Sequence, residues 1–421
     1  MNHVIIGAGP AGVVAAESLR RLVPDATVTL VGDEQEPPYS RMALPYYLIK
    51  QIAESGTYLR KSSGHFSRLN IDVRQDKVTS INRKQRQVIL ASGSPVPYDK
   101  LLIATGSRPV SPPIPGIDLP GIYSCWTLED ARNIASRSTA GAKVLLMGAG
   151  FIGCIILEAL AKSGADLTVV EMEDRMVPRM MNDTAGGLIK SWCEEQGVHV
   201  HTATKVTAIE KSAGGFSVTL STGSTIKADL IVSATGVRPN VDVLEGTGVE
   251  TDDGIVVNRN MQTNDPNIFA AGDVAQGRDF STGEYSVQAI QPTAADHAQL
   301  AARNMAGIVG AVHRGSVNMN VLDTLGLISS SFGLWMGTED GQTSELLNRG
   351  RYRYLNLQFT DDVLVGATSL GLTQHVGVLR GLIQSKTRLG VWKERLLEDP
   401  TRIMEAYLSS TQALGFNSRV L

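Results

Sequence analysis

Gly7, Gly9 and Gly12 stand in GxGxxG spacing directly after an apolar run, and the spacing returns at Gly148, Gly150 and Gly153. Glycines so placed can hold a dinucleotide. The first allows a tight turn, the second lets the backbone approach a pyrophosphate, and the third lets a helix pack closely on a strand. The diphosphate then lies on unpaired N–H groups at the positive end of that helix. An acid follows each set, Asp33 at 21 residues beyond Gly12 and Glu171 at 18 beyond Gly153. Both distances suit a carboxylate that bonds ribose hydroxyls, with Glu34 as the alternative to Asp33. Pro10 and Ala11 complete the first turn, and Phe151 and Ile152 the second.

The positioning elements are themselves repeated. VIIGAGPAGVVAAESLRRLVPDATVTLVGD (4–33) and VLLMGAGFIGCIILEALAKSGADLTVVE (144–171) share their glycines, and Glu17 matches Glu158, at a constant offset of 141. Each copy reads as strand, glycine turn, helix and second strand. Two such units imply two dinucleotides, and two dinucleotides imply hydride or electron transfer between them. The expected fold class is α/β, with two Rossmann-like dinucleotide-binding domains and a C-terminal α+β domain.

A chain of 421 residues has room for several cores, and a net charge of -3 offers no basic block for nucleic acid and no acidic arm. Cys125, Cys154 and Cys193 are scattered, without CxxC or Cys/His spacing, so no metal, cluster or disulfide is expected. Cys154 follows Gly153 in a helical pattern and reads as packing rather than redox. The longest apolar run, Val144 to Leu157, has 14 residues, whereas a membrane span needs about 20. No charged region precedes the first strand, so a cytoplasmic protein is expected.

Between the repeats lie EPPYSRMALPYYL (36–48), a strand ending in ATGSRP (104–109), and a linker with prolines at 112, 113, 115 and 120. ATGVRP (234–239) echoes the earlier motif, NIFAAGDVA (267–275) ends a strand at Gly272-Asp273, and a helix is expected from Pro292 to Met305. From about residue 315 the alternation is that of antiparallel strands. The expected domains are 1–112 with 241–314, then 113–240, then 315–421.

In this order the motifs resemble the two-dinucleotide flavoproteins, which include NADH oxidases, ferredoxin and rubredoxin reductases and the flavin portion of nitrite reductase. The resemblance covers nearly the whole chain. It implies FAD on the first turn, with Arg41, Thr105, Gly106, Gly272 and Asp273 contributing, and NAD(H) on the second, with Gly236 and Arg175. Glu171 implies NAD(H) rather than NADP(H). Arg41 matches an arginine beside the flavin ring, and the helix near Pro292 would point its N-terminus at the flavin. Hydride would pass between nicotinamide C4 and flavin N5, with no acid–base residue required. Departures matter as much. The segment holding the redox cysteine in some members has Met42 and no thiol. Tyr46 and Ile155 stand where ferredoxin reductases place a lysine and a glutamate. Tyr46 either stacks near the flavin or fills a core gap. The whole chain looks most like the NAD-linked flavoprotein subunit of a multi-subunit iron–sulfur oxidoreductase acting on a 2-oxo acid, and a homodimer stays open. The C-terminal domain would provide the partner surface, with Phe332, Trp335 and Met336 as anchors or as core. The alternatives are a stand-alone NADH oxidase or ferredoxin reductase, and a non-catalytic FAD/NADH redox sensor.

Overall fold

The computed structural model describes residues 1–308 and 310–417. Two parallel sheets of five strands form its first two units. The first has the order Ile268–Ala270, Lys100–Ile103, Asn2–Ile6, Thr27–Gly32, Ile71–Gln75. The second has the order His199–His201, Asp166–Val170, Lys143–Met147, Leu230–Ser233, Ile122–Tyr123. The central strands read as near-continuous Val/Ile/Leu because helices cover both faces of such sheets. Val4, Ile5, Leu101, Leu102 and Ile103 are accordingly buried, as are Val144, Leu145 and Leu146. The helices Pro10–Leu22 and Phe151–Lys162 make the two crossovers. An antiparallel three-stranded sheet accompanies each unit, which extends the internal repeat beyond the glycine turns.

The two ATGxRP motifs meet. Ser107–Pro109 pairs antiparallel with Val237–Pro239, with Arg108 opposite Arg238. The side chain of Asn240 donates to the Thr105 carbonyl at 2.9 Å, and the Thr105 hydroxyl donates to the Asn240 carbonyl at 2.8 Å. The chain thus leaves and re-enters the first unit through one ribbon.

The third unit is a five-stranded antiparallel sheet in the order Met319–Thr324, Leu327–Gly333, Val363–Leu370, Arg353–Thr360, Gln342–Asn348. One face carries Phe332, Leu355, Leu357 and Ala367 into a core with the helices Val376–Ser385 and Val391–Glu398. Leu322, Leu327, Tyr354 and Leu370 instead join the core of the second nucleotide unit. Asn182 donates to the Tyr354 hydroxyl at 2.6 Å, and the Trp192 indole donates to the Leu325 carbonyl at 3.2 Å. Phe332 and Trp335 are buried and serve the core, while Met336 is exposed. Of the three suggested anchors only Met336 is therefore open to a partner.

The segment joining the first and third units is held by two histidines. His297, on the helix Gln291–Met305, and His313 both direct Nε2 at the Ser316 hydroxyl, at 3.2 and 3.1 Å. Burial pushes His297 down to about 3 and lowers His313, so both are neutral in the native state. The unfolded chain takes up protons below its ordinary histidine pKa of about 6.5, whereas the native state keeps His297 neutral until about pH 3. Their stabilisation is therefore complete above that pH and is lost as pH falls. By about pH 4.5 a single such histidine costs on the order of 2–3 kcal/mol. Urea unfolding of wild type and His297→Asn should show this: the fall in midpoint from neutral to acid pH should be smaller in the variant.

Candidate cofactor site

The two glycine turns repeat in atomic detail. Gly7 has φ +109° and Gly148 +97°, the region that favours glycine, and a Cβ on either would meet a carbonyl of the neighbouring strand, Ala104 at 2.1 Å or Ala234 at 2.5 Å. A Cβ on Gly12 or Gly153 would fall 1.9 or 2.2 Å from the carbonyl oxygen of Gly7 or Gly148, so each helix rests directly on its turn. Gly9 and Gly150 differ. Nothing lies within 4 Å of the Cβ position at either, and neither helix start has a side-chain cap. Unpaired N–H groups facing open space at a positive helix end suit a diphosphate.

A cleft of about 1500 Å³, mouth included, opens above the first turn. Gly7, Gly9, Pro10, Ala11, Asp33 and Glu34 line one side, and Thr105, Gly106, Gly272 and Asp273 another. Arg41 also lines it, whereas Gly12 does not, since it is pressed against the turn. Asp273 sits at the end of the strand Ile268–Ala270 and accepts a hydrogen bond from Ser107 at 3.1 Å; burial raises its carboxyl pKa. Ala289, Gln291 and Ala294 bring the start of the helix Gln291–Met305 to the same cleft. Glu34 and Asp33 part company. Glu34 pairs with Arg41 at 2.6 Å and accepts from the Tyr39 hydroxyl, while Asp33 is exposed on the cleft. Burial raises the Tyr39 phenol, so it stays a donor at neutral pH.

The second turn is built differently at its acid. Ile6 pairs with Val31, and Met147 with Val170, so Gly32 occupies the register position of Glu171. Glu171 is 5% exposed. Its two oxygens accept from the Ala149 N–H at 2.6 Å and the Glu173 N–H at 2.9 Å. Asp33 is thus one residue further along its strand, which chain spacing alone does not show. Gly236 has φ +119° and open space beside the second unit. Arg175 bonds the Met181 carbonyl at 2.9 Å and pairs with Asp174 and Asp183 at 2.8 and 2.9 Å, so its charge is met within its own loop.

Phe151 and Ile152, expected only at the second site, line the first cleft, together with Ile155 and Ile156. The helix that starts at the second turn thus reaches the first cleft. Tyr46 is 53% exposed and lines no part of the cleft; Pro45 and Met42 do. It neither fills a core gap nor reaches the cofactor space, because the short helix Leu44–Leu48 turns Leu44 and Leu48 inward instead. The sequence reading missed Cys125, Trp126 and Tyr39, which also line the cleft. Burial pushes the Cys125 thiol up to about 12, leaving it without thiolate character at neutral pH. Cys154 is buried, its thiol facing the Ala149 carbonyl at 3.4 Å, and burial raises its pKa. Among the described residues no group of three or more His, Cys, Asp or Glu could hold a metal, and no helix is long and apolar enough to cross a membrane.

Two Rossmann-like units are joined through one ribbon, and the helix of the second glycine turn lines the cleft of the first, the architecture of a two-dinucleotide oxidoreductase. The profile of the pyridine nucleotide-disulphide oxidoreductase family matches residues 1–302, and the chain belongs to that family. Its cofactors are FAD and NAD(H), and it is an FAD-dependent NAD(H) oxidoreductase. It is 32% identical over 413 residues to the epsilon subunit of NADH-dependent phenylglyoxylate dehydrogenase of Aromatoleum evansii, covering 97% of this chain and 98% of the relative. It is 30% identical over 418 residues to the ferredoxin–NAD(+) reductase component of the anthranilate 1,2-dioxygenase system of Burkholderia cepacia, covering 96% and 98%. The reductase of the covalent putidaredoxin reductase–putidaredoxin complex superposes with a TM-score of 0.90 at 25% identity, covering 97% and 99%.

Proposed function

We propose that this chain carries electrons between NAD(H) and an iron–sulfur partner, as the flavoprotein subunit of a complex that oxidises a 2-oxo acid of the phenylglyoxylate type. FAD would lie in the first cleft, on the turn Gly7–Gly12 and against Asp273. NAD(H) would lie on the turn Gly148–Gly153 beside Glu171. When bound, the flavin and the nicotinamide supply the hydride chemistry, and the protein supplies position and charge. The observation that carries this reading is the reach of the second helix: Phe151 and Ile152 belong to the second turn yet line the first cleft.

The residues divide the work. The uncapped helix starts at Gly9 and Gly150 hold diphosphates on N–H groups. Ile155 and Ile156 keep that side of the cleft apolar and exclude water. Asp273 accepts from hydroxyls. The start of the helix Gln291–Met305 places its positive end at the cleft, where such a dipole favours an anion by roughly 0.3–1 kcal/mol. Cys125, the one thiol among the residues lining the cleft, remains protonated, which argues against thiol relay to disulfides.

Two features favour a protein partner over a small-molecule acceptor. Full-length likeness extends to a subunit of a dehydrogenase complex and to a ferredoxin reductase component. The cleft also lacks a reactive thiol. The third unit packs on the second nucleotide unit and gives no residue to the cleft. A partner surface there would reach the cofactor only through the helix Phe151–Lys162, so the exposed Met42 at the cleft mouth is the better place for contact. The chain expressed alone, with FAD and NADH, should reduce artificial dyes yet react hardly at all with oxygen, hydrogen peroxide or small disulfides. Efficient turnover of any of these without a second protein would overturn the relay and revive a stand-alone oxidase. Binding of both cofactors without dye reduction would favour a sensor.

A further inference from the structure

Trp126 belongs to the stretch that opens the second nucleotide unit, just after the strand Ile122–Tyr123 of that unit's sheet. It nevertheless lines the cleft of the first unit. Several bonds hold it there. Its indole N–H donates to the Ser107 carbonyl at 3.0 Å, and Ser107 in turn bonds Asp273 at 3.1 Å. Its backbone N–H donates to Asp130 at 3.0 Å, and its carbonyl accepts from Arg41 at 2.6 Å. The Arg41 guanidinium lies 5.3 Å from the indole ring centroid, in cation–π range. A continuous line of contacts therefore runs from Asp273 through Ser107, Trp126 and Arg41 to Glu34, joining two walls of the cleft.

The polar needs of this side chain are met by the protein. What it adds to the lining of the cleft is an aromatic side chain held by these bonds. Aromatic surface of this kind suits a ring system or a sugar face rather than a phosphate. We propose that Trp126 is a positioning residue for FAD, supplied by the second unit, which closes the first cleft over the cofactor and couples FAD binding to the arrangement of the two units. This rests on the first cleft being the FAD site.

The experiment uses the full chain, stripped of flavin and titrated with FAD. Trp126→Ala should raise the FAD Kd at least about tenfold, and Trp126→Phe, which keeps a ring but loses the Ser107 bond, by less. The thermal midpoint should fall further in the FAD-loaded Trp126→Ala protein than in its apoprotein. The chain has 4 tryptophans, so emission provides an independent readout. FAD should quench the emission, and Trp126→Phe should remove most of the quenched part. Trp192→Phe, whose indole bonds the Leu325 carbonyl outside the cleft, should remove little. An FAD Kd within about twofold of the unsubstituted protein, or an equal loss of midpoint with and without FAD, overturns the proposal. If Gly9→Asp retains FAD, the site assignment itself has failed. If Gly9→Asp loses FAD and Trp126→Ala does not, only the role of Trp126 has.

Discussion

Gly9→Asp protein should purify without yellow colour and fail to take up FAD, yet remain folded. Gly9 has φ -76°, a conformation open to any residue, and nothing lies within 4 Å of its Cβ position. The substitution therefore strains nothing in the apoprotein. It places a carboxylate where the diphosphate would sit. Two like unit charges at 4 Å repel by about 4 kcal/mol at an effective dielectric near 20, on the order of a thousandfold in affinity. Gly12→Ala is the contrasting control. Its Cβ would fall 1.9 Å from the Gly7 carbonyl oxygen, so the turn and helix must separate and the protein itself should be destabilised. The absorbance ratio at flavin and protein wavelengths, with the melting temperature of each apoprotein, separates the two outcomes. Fully yellow Gly9→Asp protein would remove FAD from this turn.

The second large effect is coenzyme choice. NADH should be preferred over NADPH by about tenfold to a thousandfold in kcat/KM, because a buried carboxylate meets the 2′-phosphate. Glu171 is held in place by the N–H groups of Ala149 and Glu173, so it cannot swing away from that charge. Arg175 would not offset the repulsion, since it is paired with Asp174 and Asp183. Glu171→Gln should narrow the ratio, chiefly by improving NADPH use, because the charge that repels the 2′-phosphate is gone. It should also raise KM for NADH, because the bond that steadies Ala149 becomes weaker. Equal kcat/KM for NADH and NADPH in the unsubstituted enzyme would refute the role of Glu171.

Both glycine turns were legible without coordinates. A glycine at positive φ, a helix resting on a carbonyl and an open helix start are local requirements, met by residues within one βαβ unit. The same locality explains why the parallel sheets and the AAGD strand end could be read, for each follows from a run of apolar residues ended by a turn. The third unit's alternating strands were legible for that reason too.

What surrounds the turns was decided in three dimensions. Tyr39, Ser107 and Trp126 meet at the cleft from separate stretches of chain, and no periodicity in any one of them announces the others. Gly32 stands where Glu171 stands in the repeat, because strand pairing sets register and the loop beyond it absorbs the difference. Arg175 has the charge for a nucleotide site but spends it within its loop, and Tyr46 has the ring for a flavin but faces solvent. Residue type determines which contacts a side chain is able to make. Which one it makes depends on the competing partners and the burial that only packing brings together, and that is why the two glycine turns were visible in the sequence while the reach of the second helix into the first cleft was not.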